Sequence, residues 1–119
     1  MSYVDGYVVP VPRHKLEAYR QLAQMAGEIW REHGALEFVE CVADDVKTGE
    51  QTSFPQSVKL REDETVVFSW IRYPSREARD RINEAVMKDP RFAGMMDPQA
   101  MPFDGMRMFW GGFEVMVDG

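Results

Sequence analysis

Apolar and polar positions along this chain switch between a period of two, as in strands, and a period near 3.6, as in helices. "SYVDGYVV" (Ser2–Val9) is β-branched and aromatic and predicts a first strand. Pro10 and Pro12 should end it, because neither can donate to a ladder. From His14 to about His33, Leu16, Tyr19, Ala23, Ala26 and Trp30 recur at helical spacing, with Leu22 and Ile29 widening the stripe and Gly34 as a stop. "ALEFVECVA" (Ala35–Ala43) and "TVVFSWIRY" (Thr65–Tyr73) predict the second and third strands. Ser75 can cap a helix whose apolar face is Ala78, Ile82, Ala85 and Val86, closing at Asp89–Pro90. "FDGMRMFWGGFEVM" and the following Val117 predict a last strand.

That last strand changes parity at its centre. Met106, Met108 and Trp110 share one face, whereas Phe113, Val115 and Val117 share a face of opposite parity. A β-bulge at Gly111–Gly112 would reconcile the two halves. The resulting order is β-α-β followed by β-α-β, an α+β layout with a four-stranded antiparallel sheet. Two connections are long, 44–64 and 90–105. The first contains "SVKL", a candidate extra strand, and loops of this length are often lids or interaction arms.

Both faces of the strands are apolar. Val66, Phe68 and Trp70 oppose Val67, Ile71 and Tyr73, while Leu36, Phe38 and Val42 oppose Val39, Cys41 and Ala43. Two helices cover only one face, so the other needs a partner, and a homodimer packing sheet against sheet is expected. Gly6, between Val4 and Val8, suggests that this set faces the helices at close approach. The open face would then carry Tyr3, Asp5, Tyr7 and Val9, with Phe38, Glu40, Phe68, Trp70, Arg72, Arg107, Phe109, Glu114 and Met116.

The totals narrow the function classes. A chain of 119 residues fits one domain, here 1–119, with a core of its own. Its net charge of −6 would repel a phosphate backbone, so nucleic acid is not an expected partner. "VVFSWIRY" also lacks the basic, glycine-containing strand signature of RNA-recognition domains. No phosphate-loop or dinucleotide fingerprint occurs. One cysteine, Cys41, precludes an intramolecular disulfide, and its place between Val39 and Ala43 suggests an inert inward thiol. The first residues lack the pattern of a secretory signal and no stretch has the length of a membrane span, so a cytoplasmic location without membrane association is expected.

"SFPQSVKLREDETVVFSWIRYPSR", "DPRF" and "MPFDGMRMFWGGFEVMVDG" resemble the YbaA-like proteins, an uncharacterised bacterial family, and the resemblance spans essentially the whole chain. It implies a ferredoxin-like βαββαβ unit that dimerises as an α+β barrel. The wider superfamily includes cofactor-free oxygenases, haem-degrading enzymes, isomerases and ligand binders, so fold leaves function open. The resemblance supplies no catalytic residues.

Candidate chemistry therefore rests on the residues. Asp5 and Glu40 are strand carboxylates; burial would raise their pKa and suit one to acid–base work, with Arg72 or Arg107 stabilising negative charge. The plainer alternative pairs each carboxylate with Arg72 or Arg107 as a dimer bridge. Tyr7, Phe38, Phe68, Trp70 and Phe109 are candidates to stack on a flat ligand. His14 and His33 read as solvated helix-end histidines. No convergent metal-ligand spacing occurs, and no cofactor is expected. Seven of the nine methionines fall from Met87 onward, which suits adaptable packing. The expected function is binding of a small, partly aromatic or acidic metabolite on the open face. A cofactor-independent oxygenase or isomerase and a purely structural dimer are the alternatives.

Overall fold

The computed structural model describes residues 2–95, 97 and 101–119. Its strands are β1 (Tyr3–Pro12), β2 (Glu37–Val42), β3 (Glu64–Tyr73) and β4 (Phe109–Glu114). Its helices are α1 (Leu16–Glu32), entered through a 3-10 turn at Arg13–Lys15, then α2 (Phe54–Ser57), α3 (Arg76–Met87) and α4 (Pro90–Met95). The strands form one antiparallel sheet in the order β2-β3-β1-β4, the ferredoxin-like α+β arrangement expected.

Local chemistry explains the boundaries. Gly34, at φ +118°, takes the left-handed conformation that ends α1 and turns the chain into β2. The Ser75 hydroxyl accepts the Ala78 amide at 3.1 Å and starts α3. Pro90 opens α4 where a missing amide costs nothing, and the Asp89 carboxylate accepts the Arg91 amide at 2.9 Å. This short helix was not foreseen in the 90–105 connection; Met96 and residues 98–100 of that connection lie outside the described residues.

Several expectations are corrected. β1 runs on through Pro10 and Pro12, paired to β3 alone, because β4 pairs with β1 only as far as Val8. Past that point one edge of β1 is free, and a proline can sit there without breaking a ladder. "SVKL" is not a strand: Ser57 ends α2, which Ser53 caps, and Val58 is buried beneath the sheet. β4 starts only at Phe109, since the Asp104 carboxylate accepts the Met106 amide and closes a turn before it. Its register with β1 is one to one from Val8↔Phe109 to Tyr3↔Glu114, so there is no bulge at Gly111–Gly112.

The pairing also fixes which face meets the helices. Asp5, Tyr7, Val9 and Val11 lie on the helix side with Phe38, Glu40, Ser69, Ile71, Tyr73 and Trp110. Their buried neighbours there include Tyr19, Ile29 and Trp30 from α1 and Ile82 and Val86 from α3. Val4, Gly6 and Val8 lie on the other face with Val39, Cys41, Phe68, Trp70, Arg72, Phe109 and Phe113. The expected assignment of the Val4–Gly6–Val8 set to the helices is therefore reversed. Close helix approach comes instead from Gly27 of α1, where an added Cβ would lie 2.7 Å from the Phe38 ring. Gly112 does the same in β4: its missing Cβ leaves room for the Tyr3 ring, whose Cε2 lies 2.7 Å from that position.

The second face is partly covered. Val8, Val58 and Val66 form a small buried cluster with Leu60 and Ala43 beneath the α2 segment. Beyond it, Phe68, Phe109 and Phe113 remain 42 %, 47 % and 65 % exposed.

Candidate functional site

Between the helix side of the sheet and α1, α3, α4 and the 101–108 segment lies a cavity of about 290 Å³. Its floor is one rung across the whole sheet, Glu40 opposite Ser69, Ser69 opposite Tyr7, and Tyr7 opposite Trp110. Period-two alternation puts these four side chains on one face, flanked by a Phe38–Ile71–Asp5–Gly112 rung on one side and Val42–Val67–Val9 on the other. The walls are aromatic. Trp30 meets Phe92 edge-on at 5.2 Å and Phe38 at 5.9 Å, Tyr19 meets Phe103 edge-on at 5.6 Å, and Tyr7 stacks on Trp110 at 5.9 Å. Met87, Met95, Met101 and Met108 also line the cavity, so four of the late methionines serve as adaptable packing around it.

Glu40 is the chemically distinctive group. The Tyr19 hydroxyl donates to its Oε1 at 2.8 Å. Burial raises its pKa above the ordinary 4.5, opposed by hydrogen bonding from Tyr19 and Ser69. No arginine, lysine or histidine lines this cavity among the described residues. An outer groove between α1 and β2 shares Tyr19, Ala23, Phe38 and Glu40 with the cavity and also carries Arg20, which is held by Glu17 at 2.6 Å. The Tyr7 hydroxyl has no hydrogen-bond partner among the described residues, and its pKa is pushed up by burial and then by the charge of Asp5.

Asp5 has a different environment. It is fully buried and receives Arg79 Nη1 at 3.2 Å, the Tyr73 hydroxyl at 3.1 Å and Asn83 Nδ2 at 3.4 Å. Burial raises its pKa while Arg79, Tyr73 and Asn83 oppose the rise. Trp30 Nε1 donates to Asn83 Oδ1 at 3.0 Å, tying α1 into the same network. Removing one member would strand buried polar groups, so this cluster has a structural role. Arg79 and Asn83, four residues apart on α3, are the partners that strand patterning did not reveal. The available signal was two polar residues at helical spacing beside Ala78, Ile82 and Val86.

Within the chain, neither Asp5 nor Glu40 pairs with Arg72 or Arg107. Arg72, on the opposite face, binds Asp118 and donates to Ser2 Oγ at 2.8 Å, with Glu37 3.8 Å away. Arg107 forms a two-pronged pair with Glu64 at 2.6 and 2.8 Å and also binds Asp104 at 2.8 Å. It further donates to the Val58 and Lys59 carbonyls, so it fastens the 101–108 segment to the end of the α2 loop. Met101, Phe103 and Met108 reach the cavity from that segment.

The expected aromatic site divides in two. Tyr7 and Phe38 line the cavity, whereas Phe68 and Phe109 lie on the opposite face. Trp70 borders the cavity from between Ser69 and Ile71, but its ring lies on the opposite face 6.1 Å from that of Phe68. Cys41 is exposed there opposite Phe68, not turned inward. His14 is exposed as expected. His33 is not simply solvated: its Nε2 lies 3.0 Å from Asp89 Oδ2, linking the end of α1 to the start of α4. Among the described residues no helix is long and apolar enough to cross a membrane.

Comparison with known proteins agrees with this architecture. The chain is 52 % identical over 118 residues to the uncharacterized protein YbaA of Escherichia coli strain K12, covering 99 % of each chain. An uncharacterized NIPSNAP domain protein from Burkholderia xenovorans superposes with a TM-score of 0.57 at 14 % identity, covering 97 % of this chain and 95 % of that one. A dimeric ferredoxin-like protein from an uncultured marine organism superposes with a TM-score of 0.54 at 9 % identity over the full length of both. Residues 2–105 match the model of the family described as "Protein of unknown function (DUF1428)", and the chain belongs to that family.

Proposed function

We propose that this protein is a cytoplasmic homodimer, a single ferredoxin-like domain over 1–119, that binds a small ring-bearing metabolite between sheet and helices. The observation that carries this reading is the cavity of about 290 Å³ with the Glu40–Ser69–Tyr7 rung on an otherwise apolar floor. A few polar groups converging in an apolar recess are the usual composition of a small-molecule site. This moves the ligand from the open face, where the sequence suggested it, to the helix side. The acidic half of the original expectation loses support, since no cation lines the cavity among the described residues.

The dimer reading rests on the other face. Phe68, Trp70, Phe109 and Phe113 form an apolar surface bordered by the Arg72–Glu37 pair. That combination suits an interface with an apolar centre and a polar rim. The dimeric description of one structural neighbour points the same way. The exposed, unpaired Cys41 fits a reducing compartment.

Native mass spectrometry of gently purified protein tests both parts. A dimer carrying a discrete additional mass that dissociates on activation is expected. A bare dimer that gains no mass from a cell metabolite extract would count against the binding role. A monomer at micromolar concentration would remove the interface.

A further inference from the structure

We infer that the cavity between the sheet and the helices takes an organic amine, its ammonium paired with Glu40 and its body held among aromatic rings. This inference rests on the cavity reading above and adds the ligand's charge and the position of its polar end.

Four observations converge on it. First, Glu40 is a carboxylate lining the cavity, with the neutral Tyr19 and Ser69 beside it on the floor and wall. Second, no positive side chain lines that cavity among the described residues; Arg79 is committed to Asp5 and Tyr3, and Arg20, in the adjoining groove that Glu40 also lines, is paired with Glu17. Glu40 is half-buried; a carboxylate partly removed from water without a counter-charge is costly, and a ligand that brings the counter-charge offsets that cost. Third, the walls are aromatic, and ring faces carry negative potential that attracts cations. The carboxylate and the rings therefore favour the same sign of charge, and both disfavour an anion. Fourth, Phe38 lies two residues from Glu40 on the same strand face, about 6.6 Å along the strand. Its ring meets Trp30, which in turn meets Phe92. An amine with a ring two or three bonds from its nitrogen spans that separation.

Glu40 is thus the specificity-determining residue, and the Trp30–Phe38–Phe92 cluster is the receptor for the body. Tyr7 has a hydroxyl without a partner among the described residues and shares the floor two strands away, so it can meet a second polar group on the ligand.

The test is a titration of intrinsic tryptophan fluorescence with three probes of one shape: 2-phenylethylamine, 2-phenylethanol and 3-phenylpropionate. Trp30 and Trp110 line the cavity and supply the signal. The amine should bind at least about tenfold more tightly than the alcohol, with the carboxylate weakest. In Glu40→Gln the amine's advantage should vanish while the alcohol still binds. An alcohol that matches or beats the amine on the wild-type protein would overturn the amine assignment and leave the cavity reading standing. So would an amine preference that survives in Glu40→Gln. Failure of all three probes to change the fluorescence would remove the cavity reading and this inference together. The wild-type ranking decides the matter even where the variant folds poorly.

Discussion

At the scale of single residues, burial is not a role. Asp5 and Glu40 are both strand carboxylates with pKa raised by burial, yet one is surrounded by arginine, asparagine and tyrosine while the other faces a cavity. A carboxyl group whose folded pKa lies above its unfolded value favours the protonated folded state. Its charge therefore costs stability at neutral pH, and that cost disappears as pH falls below the unfolded value. Glu40→Gln keeps an oxygen to accept the Tyr19 proton and removes the charge. In the absence of ligand it should melt at a higher temperature than wild type at pH 7, with the gap closing toward pH 4. Scanning calorimetry across that range checks it; a variant less stable at pH 7, or a gap that ignores pH, would show that Glu40's charge is not under strain.

At the scale of elements, the glycines of β4 separate two explanations that pattern alone could not. A parity change arises only if residues 106–108 count as strand, but Asp104–Gly105 is turn chemistry and the Asp104 carboxylate closes that turn. With the strand beginning at Phe109, the register needs no inserted residue. Gly112 is then the constrained position, through the Tyr3 ring, and Gly111 is not, since an added Cβ there meets only Phe113 at 3.6 Å. Gly112→Ala should destabilise by about 1–3 kcal/mol, the usual cost of overpacking. Gly111→Ala should be neutral or slightly stabilising, within about 1 kcal/mol. Chemical denaturation of both variants decides it, and equal losses would mean that the Tyr3 packing is not what holds Gly112.

Other elements were legible for clear reasons. Period-two parity within each central strand was correct, as were the Gly34 stop and the Ser75 cap, because each depends on neighbouring residues. The face assignment was not legible. Both residue sets of β1 and β3 are apolar, so pattern does not say which set meets the helices; charge points the right way for Phe68, Trp70 and Arg72 of β3 and the wrong way for Phe38 and Glu40 of β2. Gly6 suggested the wrong one; Gly27, four residues after Ala23 on the stripe of α1, carried the correct signal. Tyr7 and Phe38, two of the five aromatic candidates, lie on the other face from the one expected. The Arg107–Glu64 clamp was hidden for another reason. It joins residues 43 positions apart, and only the fold brings them together.

At the scale of the whole molecule, one sheet serves two surfaces. The helix side encloses the cavity, and the other side leaves aromatic residues uncovered. If that side is the dimer interface, a charge placed in it should dissociate the dimer without unfolding the chain. Phe109, on the edge strand, is the mildest position for this. Phe109→Asp should sediment as a monomer at concentrations where wild type is dimeric, with its melting transition retained. A variant that still sediments as a dimer would place the interface elsewhere.

The distribution of the three tryptophans has a practical consequence. Trp30 and Trp110 line the cavity, while the ring of Trp70 lies on the uncovered face beside Phe68. The protein thus carries separate optical probes for its two surfaces. In Trp70→Phe the emission reports filling of the cavity alone. The Trp70 contribution, taken as the difference between wild type and that variant, follows the uncovered face as the dimer is diluted. Comparing the two signals in one titration would measure whether occupancy on one side of the sheet alters association on the other.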